Sequence, residues 1–212
     1  MVPILARFRQ LYEQTTLPLG RTFVRLGISP DAFTYLSLAM GVVTGILLAN
    51  QQWLWSIVGI ALVGLTDMLD GATARAGDIA GPYGTVLDHT VDRYVEFIIL
   101  FGILFSGVVP ASYIMFTMFG MVMASYVRAR AESTGKLESC NVGMAGRQEK
   151  LALLLVGLVA QPFLPELAIL QWAILAAGII SHITALQRLL YTRRMLVGSG
   201  PRRGLYKDPE MI

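Results

Sequence analysis

Polar and charged residues interrupt an otherwise apolar chain at intervals that cut it into helix-length blocks. The first runs from about Ala32 to Ala49, entered through Gly27-Ile28-Ser29-Pro30-Asp31, a turn whose proline suits a helix start. Asn50-Gln51-Gln52 is a very short connection. A second block opens at Trp53; its apolar section ends at Asp67, and the helix is expected to continue toward Arg75. The third and fourth run from about Gly84 to Phe105 and from Pro110 to Val127, the latter continuing toward Glu132. The fifth and sixth cover Leu151 to Leu164 and Leu167 to Leu190, divided at Pro165-Glu166. A crossing helix takes about 20 residues, so the fifth is short unless polar residues before Leu151 extend it. The pattern predicts six transmembrane helices.

Ala6 to Leu26 behaves differently. Arg7, Arg9, Glu13, Arg21 and Arg25 recur among its apolar residues, which makes it too polar to cross a bilayer. It reads as an amphipathic segment lying at the interface, broken near Pro18 and Gly20. The expected organisation is an interfacial segment over residues 1–31, a membrane domain over 32–192 and a basic tail over 193–212. Basic residues then orient the chain. The connections near residues 50–53, 106–111 and 163–168 lack Lys and Arg. Arg75, the cluster over 128–150 and the C-terminal group from Arg188 to Lys207 share the other side with the N-terminal arginines. Both termini should be cytoplasmic, in a multi-pass protein of the cell membrane.

Composition agrees. Of 212 residues, 55% are hydrophobic and 15% charged, with a mean hydropathy of +0.60; soluble domains carry about 25% charged residues. The net charge of +3 is small, and no nucleic-acid partner is expected. One cysteine, Cys140, excludes an internal disulfide and a cysteine-rich metal site.

The charges inside the membrane blocks are not scattered. Asp67 and Asp70 stand three residues apart, Asp88 and Asp92 four apart, so each pair shares one face of its helix. The fourteen residues from Trp53 to Asp67 cover roughly 21 Å. Both pairs therefore approach one surface, the cytoplasmic one, at similar depth. Four carboxylates in a low-dielectric setting are costly unless cations compensate them. All-oxygen ligation without thiols favours Mg²⁺ or Mn²⁺, and two such ions can clamp a phosphoryl centre. Gly71 and Ala74 let a ligand approach a helix backbone, or equally let helices pack closely. Arg75 suits an anion. An ion pathway is the rival class, because intramembrane carboxylates mark those too; it predicts acids spread through the membrane depth, whereas these cluster at one end.

The spacing Asp67-x2-Asp70-Gly71-x2-Ala74-Arg75-x8-Gly84-x3-Asp88-x3-Asp92 resembles the full signature of the CDP-alcohol phosphotransferases, with the resemblance running from about Gly27 to Arg188. It implies an all-α integral membrane protein of six helices, typically a homodimer among membrane lipids. Such a protein displaces CMP from a CDP-linked lipid by an alcohol, using Mg²⁺ or Mn²⁺. It further implies that Asp67, Asp70, Asp88 and Asp92 hold two metal ions, with Asp92 also the base. Asp67, Gly71, Ala74 and Arg75 would border the CDP group, with Asp31 and Thr34 beside it.

A second constellation lies outside the signature. Arg128 ends the fourth block, Arg147 and Lys150 open the fifth, and Arg188 closes the sixth. They are placed to converge on one anion, although basic residues at a membrane edge also serve topology and headgroup contact. The arrangement resembles the inositol-phosphate synthases of the family, which implies that these four hold the phosphate of inositol 1-phosphate. Glycerol 3-phosphate is the alternative acceptor, and the donor's lipid is diacylglycerol or archaeol. Arg130 and Glu132 are expected to belong to a helix-end salt network, Glu96 to tune the site or bond between helices, and His182 to bond between helices.

Overall fold

The computed structural model describes residues 9–79, 81–137, 139–144 and 146–197, with side chains for all of these but 9–14, 147 and 148. The basic tail from residue 198 lies outside them. Seven α-helices follow in order: α1 (Arg9–Arg25), α2 (Pro30–Ala49), α3 (Trp53–Gly77), α4 (Pro82–Ser106), α5 (Ala111–Glu132), α6 (Arg147–Ala160) and α7 (Ile169–Val197). A 3-10 turn, Pro165–Leu167, precedes α7. The fold is all-α, as the apolar blocks predict.

The boundaries have local causes. Pro30 and Pro82 open α2 and α4 at positions where a helix has no use for an N–H. Gly107, at φ 74°, ends α4 in the left-handed conformation that glycine adopts without a steric penalty. α3 continues ten residues beyond Asp67 to Gly77, carrying the whole first half of the signature on one rigid rod. The polar residues from Arg147 do extend the fifth helix, but it stops at Ala160, four residues earlier than expected. At about 21 Å it remains short.

Three stretches, Pro30–Ala49, Trp53–Gly77 and Pro165–Val197, are both long and apolar enough to cross a membrane. Large apolar side chains stand exposed on them and on α4 and α5, including Leu54, Trp55, Phe105, Phe119 and Trp172. A soluble surface does not present so much contiguous apolar area. This is a multi-pass membrane protein.

Packing divides the helices into two groups. α2 lies along α3 and α4, with α1 across α3; α5 and α6 both pack on α7. The groups share a core of Leu48, Val63, Ile99, Ile103, Leu158 and Ile174, yet α4 touches α5 only sparingly. At the uncharged end, the Gln51 side chain donates to the Ser106 carbonyl at 2.9 Å and Gln171 to the Val108 carbonyl at 2.7 Å. Those contacts satisfy carbonyls that helix ends and turns leave open. His182 bonds the Phe116 carbonyl of α5 at 3.2 Å, the interhelical role expected of it.

Where the first segment was expected to break, α1 runs unbroken through Pro18. The reason is tertiary. A Cβ on Gly20 would sit 2.3 Å from the Ala72 carbonyl oxygen, so α1 rests backbone-to-backbone on α3, and Phe23 meets Phe33 of α2 edge-on at 4.9 Å. Packing overrides the local propensity.

An equally tight crossing lies between α2 and α4, where a Cβ on Gly102 would meet the Gly45 carbonyl oxygen at 2.3 Å. Backbone cannot yield there as a side chain can. The Gly102→Ala variant should lose roughly 1–3 kcal/mol of stability by overpacking, seen as a lower thermal midpoint in detergent.

Candidate active site

The turn between α3 and α4 folds the two carboxylate pairs together. Asp78, left-handed at φ 52°, caps α3, and α4 restarts at Pro82. One carboxylate oxygen each from Asp67, Asp88 and Asp92 then lies within 4.8 Å of the others. Two oxygens across one Mg²⁺ stand about 4 Å apart, given metal–oxygen distances of about 2.1 Å. The three acids therefore fit a divalent cation with small adjustment. Asp92 is buried, while Asp67 and Asp88 are half-buried.

Asp70 is not in that cluster of three. The buried Thr34 hydroxyl of α2 donates to its Oδ2. Asp70 remains within electrostatic reach of Asp31, Asp67 and Asp88, so it borders the centre while its carboxylate is held toward α2. Asp31 approaches Gly84, whose missing Cβ would lie 3.7 Å from the Asp31 Oδ1. Asp31 and Thr34, both from the first turns of α2, thus stand against the two signature helices. Gly71 has a specific use: the guanidinium of the exposed Arg75 lies 3.0 Å from where a Cβ would be. A side chain there would push that cation aside. Ala74, half-buried, completes this face.

On the other side of Asp92 the two helix groups part, leaving a cleft of about 590 Å³ between α4 and α5. Asp92, Arg128, Lys150 and Arg188 all line it. Three of the four basic residues singled out by the sequence therefore do converge. The side chain of Arg147 lies outside the described residues, although its backbone opens α6. Lys150 and Arg188 are 7% and 8% exposed, and among the described residues neither has an ion-pair partner. Arg188 instead donates from Nε to the Val142 carbonyl at 2.9 Å and from its terminal nitrogen to the Ala124 carbonyl at 2.7 Å. Carbonyls orient the cation without neutralising it.

Glu132 pairs with Arg128, at 3.0 Å, rather than with Arg130. Four residues apart, the two face each other along α5, whereas residues two apart diverge. The same Glu132 oxygen accepts the Cys140 N–H at 2.9 Å, which draws the α5–α6 loop over the site. His89 also lines the cleft beside Asp92. Glu96 bonds along its own helix, its Oε1 accepting from Arg93 at 2.9 Å. Arg93 is the residue that sequence reasoning missed. Its signal was the i,i+3 pair Arg93–Glu96; its partner across the cleft, Ser125, is set by tertiary register.

A family model described as CDP-alcohol phosphatidyltransferase matches residues 27–184. The chain is 28% identical to the archaetidylinositol phosphate synthase of Pyrococcus horikoshii, over 91% of this chain and 98% of that one. It is 31% identical to the phosphatidylinositol phosphate synthase of Mycolicibacterium smegmatis, over 85% of each. Among solved structures it is similar to the Mycobacterium tuberculosis phosphatidylinositol phosphate synthase with CDP-DAG bound. That match has a TM-score of 0.74 and 27% identity, covering 85% of this chain and 94% of that one. The same mycobacterial enzyme in complex with manganese and citrate gives 0.73 at 28% identity, covering 84% and 88%. Carboxylates converging between α3 and α4, a signature without departures and a match along most of the chain leave one conclusion: this protein is a member of the CDP-alcohol phosphatidyltransferase family, an enzyme of that class.

Proposed function

We propose that this protein transfers a phosphatidyl-type group from a CDP-linked lipid, built on diacylglycerol or archaeol, to inositol 1-phosphate. CMP leaves, and a phosphoinositol-phosphate lipid forms. The observation that carries the acceptor is the pair Lys150 and Arg188. Two buried cations without a carboxylate ion-pair partner among the described residues are costly, and an anion in the cleft beside Asp92 offsets that cost. The relatives' names point the same way, toward inositol-phosphate lipids.

Asp92 belongs to both the carboxylate cluster and the cleft. An acceptor whose phosphate rests on Lys150 and Arg188, with Arg128 and Arg147 at the rim, presents a hydroxyl toward Asp92. A carboxylate oxygen of Asp92 takes that hydroxyl's proton. The hydroxyl oxygen then bonds to the lipid-linked phosphorus, and the bond from that phosphorus to the CMP oxygen breaks. Two Mg²⁺ or Mn²⁺ ions, when held by Asp67, Asp70, Asp88 and Asp92, supply charge stabilisation on the attacking and leaving oxygens. Thr34 restrains Asp70 until that carboxylate is needed. Asp67, Gly71, Ala74 and Arg75 border the nucleotide, with Asp31 beside them.

The membrane arrangement belongs to the same proposal. α2 to α7 make six crossings, with α4 and α5 tolerating their charges because these sit near one end. Both termini and the site face the cytoplasm, which follows from the basic residues. α1 lies at the interface, and the protein works as a homodimer.

The direct test is CMP release by purified protein in detergent with a CDP-lipid and Mg²⁺ or Mn²⁺. Release is expected with inositol 1-phosphate and not with serine or free inositol, and EDTA should abolish it. Dependence on glycerol 3-phosphate instead would replace the acceptor while keeping the chemistry. Asp92→Asn should lower kcat by about 10²–10⁴-fold while CDP-lipid binding stays measurable by calorimetry. Lys150→Gln should raise the acceptor KM about tenfold or more, with kcat changed far less, since a lost charge-assisted bond is worth about 1.5–3 kcal/mol.

A further inference from the structure

Arg93 follows Asp92 on α4, and its guanidinium is held from three directions. One terminal nitrogen lies 2.9 Å from Glu96 Oε1 and 3.8 Å from Asp92 Oδ2. The other donates to Ser125 Oγ on α5. Glu96 is 7% exposed, and a carboxylate that deep requires a cation. Lys150 lies within its electrostatic reach but makes no ion pair with it. Arg93 does.

The location gives this contact its meaning. α4 and α5 touch only sparingly and open into the cleft; Arg93 to Ser125 is a bond across that opening. Arg128 stands three residues beyond Ser125 on the same face of α5. The bond therefore fixes how far the Asp92 carboxylate stands from the cation on the opposite wall. An acceptor gripped by its phosphate at one end and deprotonated at the other depends on that separation. Small errors in it cost rate rather than affinity.

We propose that Arg93 is a positioning residue: braced by Glu96, it clasps α4 to α5 through Ser125 and so sets the span between the base and the anion-binding wall. This rests on the acceptor reading above. The planar guanidinium can bridge a carboxylate and a hydroxyl at once, which a lysine ammonium on a flexible stem does poorly.

The experiment uses Ser125→Ala, which leaves both charges of the Arg93–Glu96 pair in place, and the double variant Arg93→Gln, Glu96→Gln, which removes both charges of that pair together. Steady-state CMP release should show kcat falling about tenfold or more in each, with the KM for inositol 1-phosphate within about threefold of the parent. Arg93→Lys should resemble Ser125→Ala rather than the parent. Adding Ser125→Ala to the double variant should cost nothing further, because the clasp is already gone. A rise in acceptor KM at constant kcat would make Arg93 an anion ligand and overturn the proposal, as would an unchanged kcat in Ser125→Ala. A second readout needs no acceptor. Spin labels at Val86→Cys and Val122→Cys, both exposed on the two cleft walls, should give a narrow distance distribution that broadens in Ser125→Ala. An unbroadened distribution overturns the clasp. Broadening in a protein that ignores inositol 1-phosphate retains the clasp and rejects the acceptor instead.

Discussion

Three carboxylates whose oxygens gather within 4.8 Å repel one another, and that repulsion has to be met by the surrounding architecture. Nothing in the fold's apolar core favours bringing Asp67, Asp88 and Asp92 together. The helices do it because α2 locks onto α4 at Gly45 and Gly102, and α1 presses α3 from the other side at Gly20. These contacts are backbone against backbone, so they resist the small separations that would relieve the charges. The carboxylate centre and the glycine crossings are two parts of one arrangement: rigid packing holds an electrostatically unfavourable cluster ready for cations that make it favourable.

The other half of the site is organised by the opposite sign. Lys150 and Arg188 come from α6 and α7; α7 packs on both α5 and α6, and this group contacts the first only sparingly. Asp92 is where the negative and positive halves meet. The division of the bundle into two packing groups is therefore also a division of sign, with the signature carboxylates on α3 and α4 and the buried cations on α6 and α7. The α5–α6 loop ties the second half together, with the Cys140 N–H on Glu132 and the Val142 carbonyl on Arg188.

Much of this was legible in the sequence, because helix periodicity and turn residues are local. The turn at residues 50–52, the proline start of α2, and the spacing of the acids all translate directly into structure. What escaped reading depends on distant register. Thr34 meets Asp70 across 36 residues, and Arg93 meets Ser125 across 32; neither pairing leaves a trace in spacing. Pro18 signals a break that tertiary contact with α3 overrides. Between α5 and α6, Leu137 and Cys140 are buried, and the backbone of Cys140 and Val142 bonds to Glu132 of α5 and Arg188 of α7.

Arginine is costly to immobilise, since its long stem samples many rotamers and loses about 2 kcal/mol of freedom when fixed. In Arg188 two of the three guanidinium nitrogens are already anchored on main-chain oxygens. That rotameric entropy is lost once, when the chain folds, and not again each time a ligand arrives. The cation is stationary before anything binds it, so discrimination between anions at this position becomes a matter of shape and charge distance, with little room for the pocket to mould itself around a poor fit.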